Sequence, residues 1–409
     1  MKLSIVVIGD ELLIGQVTDT NSGEIARAMG PDGWETVSVR VIGDNAAQIK
    51  EAINNALSEA DLVITTGGLG PTKDDITKAV MLEIFGGKLI HNPDVAENIR
   101  EVFNRRGLTL NPLTLGQAMV PDSCRVIQNR FGTAPVMWFE KDSKVLVAMP
   151  GVPFETVGTL PEVRRLVNEY FSPGDVFIHR TFMVAGITES DLASHLDEFE
   201  SALPSGIHLA YLPQPGLIRL RLDGVNVDRN TFENFDFRLK KELGDLLIFY
   251  GDATPAEILL IAARSCNLKI AAAESCTGGN IAHLITSVPG SSDTFLGGIV
   301  SYANEVKQNL LGVKPEDLET HGAVSREVVE QMAIGVCRAT GADCSVATSG
   351  IAGPGGGSPD KPVGTVWMAW CVNGKVISKK FRFPGDRLRV INRASTEGIL
   401  GLHRLLCSF

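Results

Sequence analysis

The sequence predicts an α/β protein of three domains, and three observations support this. A chain of 409 residues exceeds what one ordinary core holds. Strand-like apolar runs alternate with amphipathic helical runs in the first block, which favours a largely parallel sheet covered by helices. Clusters of turn residues and helix-start signals then divide the chain, and they predict domains over residues 1–168, 172–250 and 254–409.

Composition favours a soluble globular protein, since 44% of the residues are hydrophobic and 21% are charged. No apolar run approaches the roughly 18–20 residues of a membrane helix, and the apolar N-terminus runs into Asp10 and Glu11, so we expect a first strand rather than a signal peptide. The net charge of −10 argues against nucleic-acid or acidic-membrane partners. Seven scattered cysteines without a Cys-x-x-Cys pair fit a reducing cytoplasm.

The middle block reads as strand, helix, strand, strand, helix and strand. By element order this small α+β insert resembles a KH-type module, but the Gly-x-x-Gly clamp of RNA-binding modules is missing, and residues 186–189 are its nearest approach. We therefore expect a spacer or a dimer contact in a homodimer rather than an RNA-binding module.

A glycine-rich turn follows the buried strand-like run at residues 62–66. Gly67, Gly68 and Gly70 let the backbone approach a ligand closely, and the helix that follows presents its N-terminus to an anion. The pattern is neither a Walker loop nor a dinucleotide fingerprint. It predicts a phosphate-ligand site of another kind.

Carboxylates flank the ends of two predicted strands in this block. Asp10 follows the first strand, and Asp74 and Asp75 follow the glycine turn. Because the carboxyl ends of parallel strands share one edge of a sheet, the three can converge on a divalent metal whose shell phosphate oxygens complete. A single Asp that only caps a helix is the alternative at Asp74 or Asp75.

Ser275 ends a short apolar run and precedes Gly278, Gly279 and an amphipathic run. A strand that turns into a helix here holds the hydroxyl at the positive end of that helix, where backbone N–H groups of residues 277–279 can stabilise an oxyanion. With a suitable base this is an acyl-transfer site. Cys276 is the rival nucleophile, since a thiol at a helix N-terminus has a depressed pKa.

The residues alone leave the base open as well. His283 lies about two helical turns beyond Ser275, roughly 12 Å of axial rise, which is too far for a hydrogen bond. His321 precedes a helix and is expected to satisfy local backbone groups. A lysine serves when burial lowers its pKa, and Lys307 with Tyr302 nearby supplies both a base and a hydroxyl relay.

A second glycine-rich loop lies between residues 350 and 364 and holds six glycines. Backbone N–H groups of such a loop can bind a phosphate, and a guanidinium can add two parallel hydrogen bonds to it. The predicted substrate contacts here are Gly350, Gly353, Gly355, Gly356 and Arg387.

The first block resembles the molybdopterin-binding fold family, a three-layer α/β domain marked by a Thr-Gly-Gly-Thr-Gly turn, with Leu69 here in place of the second Thr. The longer pattern over residues 9–21 and 67–75, which includes Asn21, resembles CinA, the competence/damage-inducible protein family. In that family the domain is associated with metal-dependent ADP-ribose pyrophosphatase activity. The resemblance therefore implies that this domain cleaves a pyrophosphate with a divalent metal ion.

The last block resembles the nicotinamide-nucleotide amidase (NMN deamidase) domain of CinA. Six motifs occur in order, at residues 273–279, 302–307, 321–325, 350–357, 361–365 and 384–387. The resemblance implies that Ser275 is the nucleophile, that Lys307 is its general base, and that Tyr302 and Thr277 assist. It also implies an amidase that converts nicotinamide mononucleotide to the acid and ammonia without a cofactor. Two rival classes are a non-enzymatic partner in competence or recombination and a pterin-cofactor binding protein.

Overall fold

The computed structural model describes residues 1–72, 75–171 and 177–407. Packing divides the chain into two compact units. The first comprises residues 1–179, 204–207 and 223–233, and the second comprises residues 180–203, 208–222 and 234–409. The finer division into three domains stays a prediction.

The first unit contains a six-stranded sheet flanked by helices. The strands of this unit are β1 (Lys2–Ile8), β2 (Glu35–Ile42), β3 (Leu62–Thr66), β4 (Leu89–His91), β5 (Met119–Pro121), β6 (Arg125–Ile127), β7 (Val136–Lys141) and β8 (Lys144–Met149). Its helices are α1 (Asp10–Leu13), α2 (Asn21–Met29), α3 (Ala46–Glu59), α4 (Thr77–Phe85), α5 (Pro93–Arg105), α6 (Pro112–Leu115) and α7 (Pro153–Phe171). The main sheet has the order β2-β1-β3-β8-β7-β6, and β4 pairs with β5 separately.

Side chains alternate across this sheet, which explains its three layers. Leu3 and Ile5 of β1 belong to a core cluster with residues of α2 and α7, while Val6 and Ile8 join a second cluster with residues of α3 and α4. Neighbouring strands β2, β1, β3 and β8 are parallel, whereas β7 and β6 are antiparallel additions. The parallel strands therefore end at one edge, as the sequence predicted.

The next strands are β9 (Phe177–Val184), β10 (Ile207–Gln214), β11 (Leu217–Val225) and β12 (Leu247–Tyr250), and the helices among them are α8 (Glu189–His195), α9 (Asp197–Ser201) and α10 (Arg229–Leu243). The sheet order is β10-β11-β9-β12. Counting α8 and α9 as one interrupted helix, the element order is the β-α-β-β-α-β predicted from the sequence. The ferredoxin-like split βαβ motif has the same element order. That motif describes this α+β region more closely than a KH module does.

The remaining strands are β13 (Ile270–Glu274), β14 (Phe295–Val300), β15 (Cys344–Gly350), β16 (Thr365–Val372) and β17 (Lys375–Arg382). The helices are α11 (Pro255–Ser265), α12 (Asn280–Thr286), α13 (Asn304–Leu311), α14 (Pro315–His321), α15 (Arg326–Thr340) and α16 (Arg387–Cys407). The sheet has the order β14-β13-β15-β16-β17.

An interior strand of this sheet, β13, positions the candidate site. β13 is fully buried and pairs in parallel with β14 and β15, so the turns after β13 and β14 lie side by side at one edge. Apolar residues of α11, α12 and α16 cover one face, and those of α13, α14 and α15 cover the other. In the part of the chain that the structure describes, no helix is both long and apolar enough to span a membrane.

Candidate active site

Ser275 lies where β13 ends and the chain turns toward α12. Its N–H donates to the carbonyl oxygen of Thr348 on β15, 3.0 Å away, which holds the turn against the middle of the sheet. Gly278 and Gly279 have φ angles of +64° and +99°, a left-handed conformation that glycine adopts without steric cost. These glycines let the chain pass directly from strand to helix.

Lys307 reaches the same point from α13. Its Nζ lies 3.3 Å from Oγ of Ser275, 2.7 Å from the carbonyl oxygen of Ser301 and 3.2 Å from that of Tyr302. The Lys307 side chain is only 1% exposed, and all three contacts are with uncharged oxygen atoms. Burial lowers the pKa of this amine from its usual value. The neutral form that a general base requires is therefore more populated than on a surface lysine.

Cys276 is a poor nucleophile in this environment. The thiol is buried, and burial with the nearby Glu274 charge raises the pKa of Cys276 to about 12. The position of Cys276 near a helix N-terminus predicted a lowered pKa instead. Desolvation outweighs that effect, so the thiol stays protonated at neutral pH and Ser275 is the better placed nucleophile.

Tyr302 and Thr277, which are expected to assist, lie close to Ser275 and Lys307. The carbonyl oxygen of Tyr302, rather than its hydroxyl, contacts Lys307, and its side chain is 62% exposed. The hydroxyl instead accepts a hydrogen bond from Arg387 Nη2 at 3.1 Å, so the structure shows no relay through it among the described residues. The Thr277 hydroxyl bonds to that of Thr348 at 2.7 Å and secures the turn.

A cavity of about 180 Å³ opens at Ser275 and Lys307. Of the predicted substrate contacts, Gly350 and Arg387 line it. The predicted glycines that do not line it are Gly278, Gly279, Gly353, Gly355 and Gly356. Gly353 still contributes indirectly, because its carbonyl oxygen accepts a hydrogen bond from Arg387 Nη1 at 2.8 Å. No histidine lines this cavity in the described part of the chain, in keeping with the exclusion of His283 and His321.

Sequence reasoning missed several lining residues, and it also missed Glu274. Asn304, Ala323, Val324 and Ser349 line the cavity. Glu274 is 1% exposed, and its carboxylate accepts hydrogen bonds from three backbone N–H groups at the start of α12. A sequence signal existed, since the N-cap of α12 is a glycine without a capping side chain and the nearest preceding carboxylate is Glu274.

A second cavity, of about 460 Å³, lies in the first unit where β1 and β3 end. The predicted contacts Gly67, Gly68, Gly70 and Asn21 all line it. The Nδ2 atom of Asn21 donates to the carbonyl oxygen of Gly151 at 2.8 Å, while its buried Oδ1 has no hydrogen-bond partner. The glycine turn and the strand ends therefore meet around one space.

The lining of this second cavity is acidic. Five carboxylates contribute to it, from Glu11, Asp19, Asp44, Asp75 and Glu155, and the described lining contains no lysine or arginine. A phosphate-bearing ligand would meet net repulsion here unless cations accompanied it.

Of the predicted metal ligands that the structure describes, Asp75 lines this cavity and Asp10 does not. Asp74 lies outside the described residues. Asp10 is absent from the described cavity lining, and its Oδ1 accepts the N–H of Asp44 at 3.2 Å. Both oxygens of Asp75 accept hydrogen bonds from the glycine turn, from Gly70 and from Thr72. Over residues 1–72, 75–171 and 177–407, no group of three or more His, Cys, Asp or Glu side chains is arranged to hold a metal ion.

The fold and the two sites define a composite α/β protein, in which a three-layer unit with a glycine-turn cavity precedes a five-stranded unit with a buried serine–lysine pair. Residues 4–166 match the family described as "Probable molybdopterin binding domain", and residues 252–406 match the "CinA C-terminal domain" family. A CinA-like protein of Cytophaga hutchinsonii is 39% identical over 98% of this chain and 96% of its own length. The chain belongs to the family of CinA-like proteins, which confirms the family and the α/β fold class expected from the sequence.

A second relative of comparable identity agrees with this assignment. A CinA-like protein of Flavobacterium psychrophilum is 40% identical over 98% of this chain and 97% of its own length. The crystal structure of a CinA superfamily protein from Klebsiella pneumoniae is 34% identical, covers 38% of this chain and 100% of its own, and has a TM-score of 0.37.

Proposed function

We propose that the C-terminal part of this protein is an amidase that converts nicotinamide mononucleotide to the acid and ammonia. The observation that carries this proposal is the buried Lys307 amine 3.3 Å from the Ser275 hydroxyl oxygen. A desolvated lysine beside a serine is an established way to activate a weak oxygen nucleophile. The likeness of the C-terminal block to the nicotinamide-nucleotide amidase domain supplies the substrate.

The reaction needs one proton carrier and no redox chemistry. Ser275 Oγ attacks the carboxamide carbon while its proton moves to Lys307 Nζ. The tetrahedral intermediate then collapses, the C–N bond breaks, and Lys307 returns the proton to the leaving nitrogen as ammonia forms. Water attacks the acyl ester with the same amine as base, which releases the pyridine carboxylate and restores the Ser275 hydroxyl.

The cavity favours a small planar group with an anionic tail. Its volume of about 180 Å³ accommodates a pyridine carboxamide better than a whole nucleotide. Arg387 lines the mouth of the cavity. Two of its nitrogen atoms donate hydrogen bonds to Gly353 and Tyr302, and its positive charge suits a 5′-phosphate that lies outside the cavity.

Ammonia release from nicotinamide mononucleotide tests the proposal. The wild-type protein should release ammonia, Ser275→Ala should lose at least about 10³-fold in kcat, and Cys276→Ala should stay active. An active Ser275→Ala with an inactive Cys276→Ala would transfer the nucleophile to the thiol. A wild-type protein that releases no ammonia would reject the amidase and favour a binding role in competence or recombination.

We further propose that the cavity of the first unit binds ADP-ribose and cleaves its pyrophosphate. The acidic lining supports this in one specific way, because a pyrophosphate can enter only with cations that offset five carboxylates. A divalent ion would supply that charge, and Glu11, Asp19, Asp44 and Glu155 are the lining carboxylates outside the glycine turn.

AMP formation from ADP-ribose, measured with magnesium and with a chelator, tests this second activity. Chelation should stop AMP formation and leave ammonia release unchanged, because the serine–lysine mechanism uses no metal. AMP formation that persists after chelation would reject the cation requirement. Tight binding of molybdopterin without AMP formation would favour a pterin-binding role.

A further inference from the structure

Glu274 closes β13 with a carboxylate that lies inside the protein. Its Oε2 accepts the N–H groups of Gly279 and Ile281, each at 3.0 Å, and its Oε1 accepts the N–H of Ala282 at 2.8 Å. These N–H groups belong to the N-cap residue and the first turn of α12, whose N-cap, Gly279, has no capping side chain. The positive end of this helix is therefore already neutralised by a carboxylate of the preceding strand.

The other backbone N–H groups of this turn divide into those that have a hydrogen-bond acceptor and those that have none. The N–H of Gly278 donates to the carbonyl oxygen of Ser275 at 3.2 Å, and that of Asn280 donates to Thr277 at 3.1 Å. Among the described residues 275–283, only Cys276 and Thr277 have a backbone N–H without a hydrogen-bond acceptor. Cys276 also lines the cavity.

We propose that Glu274 is a positioning residue for acyl transfer. Its carboxylate accepts hydrogen bonds from the N–H groups at the start of α12, so that only the N–H groups of Cys276 and Thr277 receive the oxyanion. This inference rests on the proposed amidase function, and it replaces the sequence-based expectation that the N–H groups of Gly278 and Gly279 take part. The oxyanion of the tetrahedral intermediate, which is bonded to Ser275 through Oγ, then forms beside the two donors that follow Ser275 directly in the chain.

The carboxylate is required because both of its oxygens are acceptors. Glutamine at position 274 would keep the size of the side chain but turn an NH₂ group toward either Ala282 or the pair formed by Gly279 and Ile281. Two donors would then face each other, and the turn that carries Ser275 must shift to separate them. Aspartate keeps both acceptors but is one methylene shorter, so it should preserve the arrangement in part.

The test compares Glu274→Gln with the wild type on nicotinamide mononucleotide and on its thioamide analogue. An oxyanion site built for oxygen discriminates against the larger sulfur, which is a weaker hydrogen-bond acceptor. Glu274→Gln should lower kcat about tenfold or more while KM changes less than about twofold. The ratio of amide to thioamide kcat/KM should fall by about fivefold or more, and Glu274→Asp should recover part of both losses.

Glu257→Gln is the matched control. Glu257 also caps a helix of this unit, since its Oε2 accepts the N–H and the hydroxyl of Thr254 at 2.7 and 2.8 Å, and neither residue lines the cavity. The control should lose some stability but keep kcat and the thioamide ratio.

Different outcomes separate the two proposals. A wild-type enzyme that is active, together with a Glu274→Gln variant of unchanged kcat and thioamide ratio, overturns the role of Glu274 and leaves the amidase intact. A wild-type protein without amidase activity overturns both. If Glu274→Gln does not fold, the thioamide ratio of Glu274→Asp decides, and a wild-type ratio there rejects the inference.

Discussion

The Nζ atom of Lys307 lies 2.7 Å from the carbonyl oxygen of Ser301, closer than to the hydroxyl of Ser275 at 3.3 Å. The carbonyl oxygen of Tyr302 is a second backbone acceptor at 3.2 Å. A neutral amine has two N–H groups, and these two carbonyls can accept both of them. Its lone pair then points toward the Ser275 hydroxyl, which is the orientation that proton abstraction needs.

The first prediction concerns pH. The pKa of Lys307 is lowered by burial, and the proposed mechanism requires the deprotonated amine. The kcat for ammonia release should therefore rise with pH through a single ionisation whose midpoint lies below the pKa of an ordinary lysine, about 10.4. Lys307→Arg should be inactive at every pH, because a guanidinium stays protonated. A rate that falls as the pH rises from 6 to 9 would contradict a lysine base.

The second prediction uses the same buried amine as a stability probe. Lys307→Met removes a buried polar group, so the variant should be more stable at pH 7, by about 1 kcal/mol, and the proposed mechanism predicts that it is inactive. Because the pKa of Lys307 is lower in the folded than in the unfolded chain, the wild-type protein gains stability as pH rises toward the unfolded value. The difference in thermal unfolding midpoint between the two proteins should therefore shrink from pH 7 to pH 10. A difference in unfolding midpoint that widens as the pH rises would contradict a lowered pKa of Lys307 in the folded protein.

The third prediction concerns thiol reactivity. Burial raises the pKa of Cys276 to about 12, whereas Cys266 and Cys407 are exposed. Iodoacetamide at pH 8 should modify the two exposed cysteines and leave Cys276 unmodified, as peptide mass spectrometry can show. Rapid alkylation of Cys276 that parallels the loss of ammonia release would support Cys276, rather than Ser275, as the nucleophile.

The fourth prediction separates the two partners at the cavity mouth. Arg387→Ala should raise KM for nicotinamide mononucleotide about tenfold or more, since a charged hydrogen bond to a phosphate is lost. Tyr302→Phe removes only the hydroxyl that accepts from Arg387, so KM should rise slightly and kcat should stay within about twofold. A large fall in kcat for Tyr302→Phe would restore the hydroxyl relay that the sequence suggested.

The sequence predicted features that follow from local patterning, and it missed those that depend on which atoms face each other. The turn after β13 and the parallel strands on either side of it follow from apolar runs and glycines, so Ser275 could be placed from the residues alone. Lys307 lies 32 positions from Ser275 in the sequence, and it was predicted to be the base from its place in the family motifs.

Atom-level contacts were beyond reach for a physical reason. Whether Tyr302 offers its carbonyl or its hydroxyl depends on how the backbone after β14 turns. The part played by Glu274 depends on how closely β13 and α12 approach, a distance that tertiary packing sets. Both features became visible only when strand ends and helix starts were placed in space.

The last prediction concerns the helix that carries the base. A Cβ atom on Gly335 of α15 would lie 2.0 Å from the backbone carbonyl oxygen of Leu311, the last residue of α13. Backbone cannot yield as a flexible side chain does, so Gly335→Ala should push α13 away and move Lys307 from Ser275. We expect a loss of about 2 kcal/mol in stability and a fall in kcat that exceeds any change in KM, measured by thermal unfolding and ammonia release. Gly30→Ala is the control, because Gly30 has helical angles and open space around its Cβ position, and it should leave both quantities unchanged. A Gly335→Ala variant with wild-type kcat would show that the spacing of α13 and α15 does not control the position of Lys307.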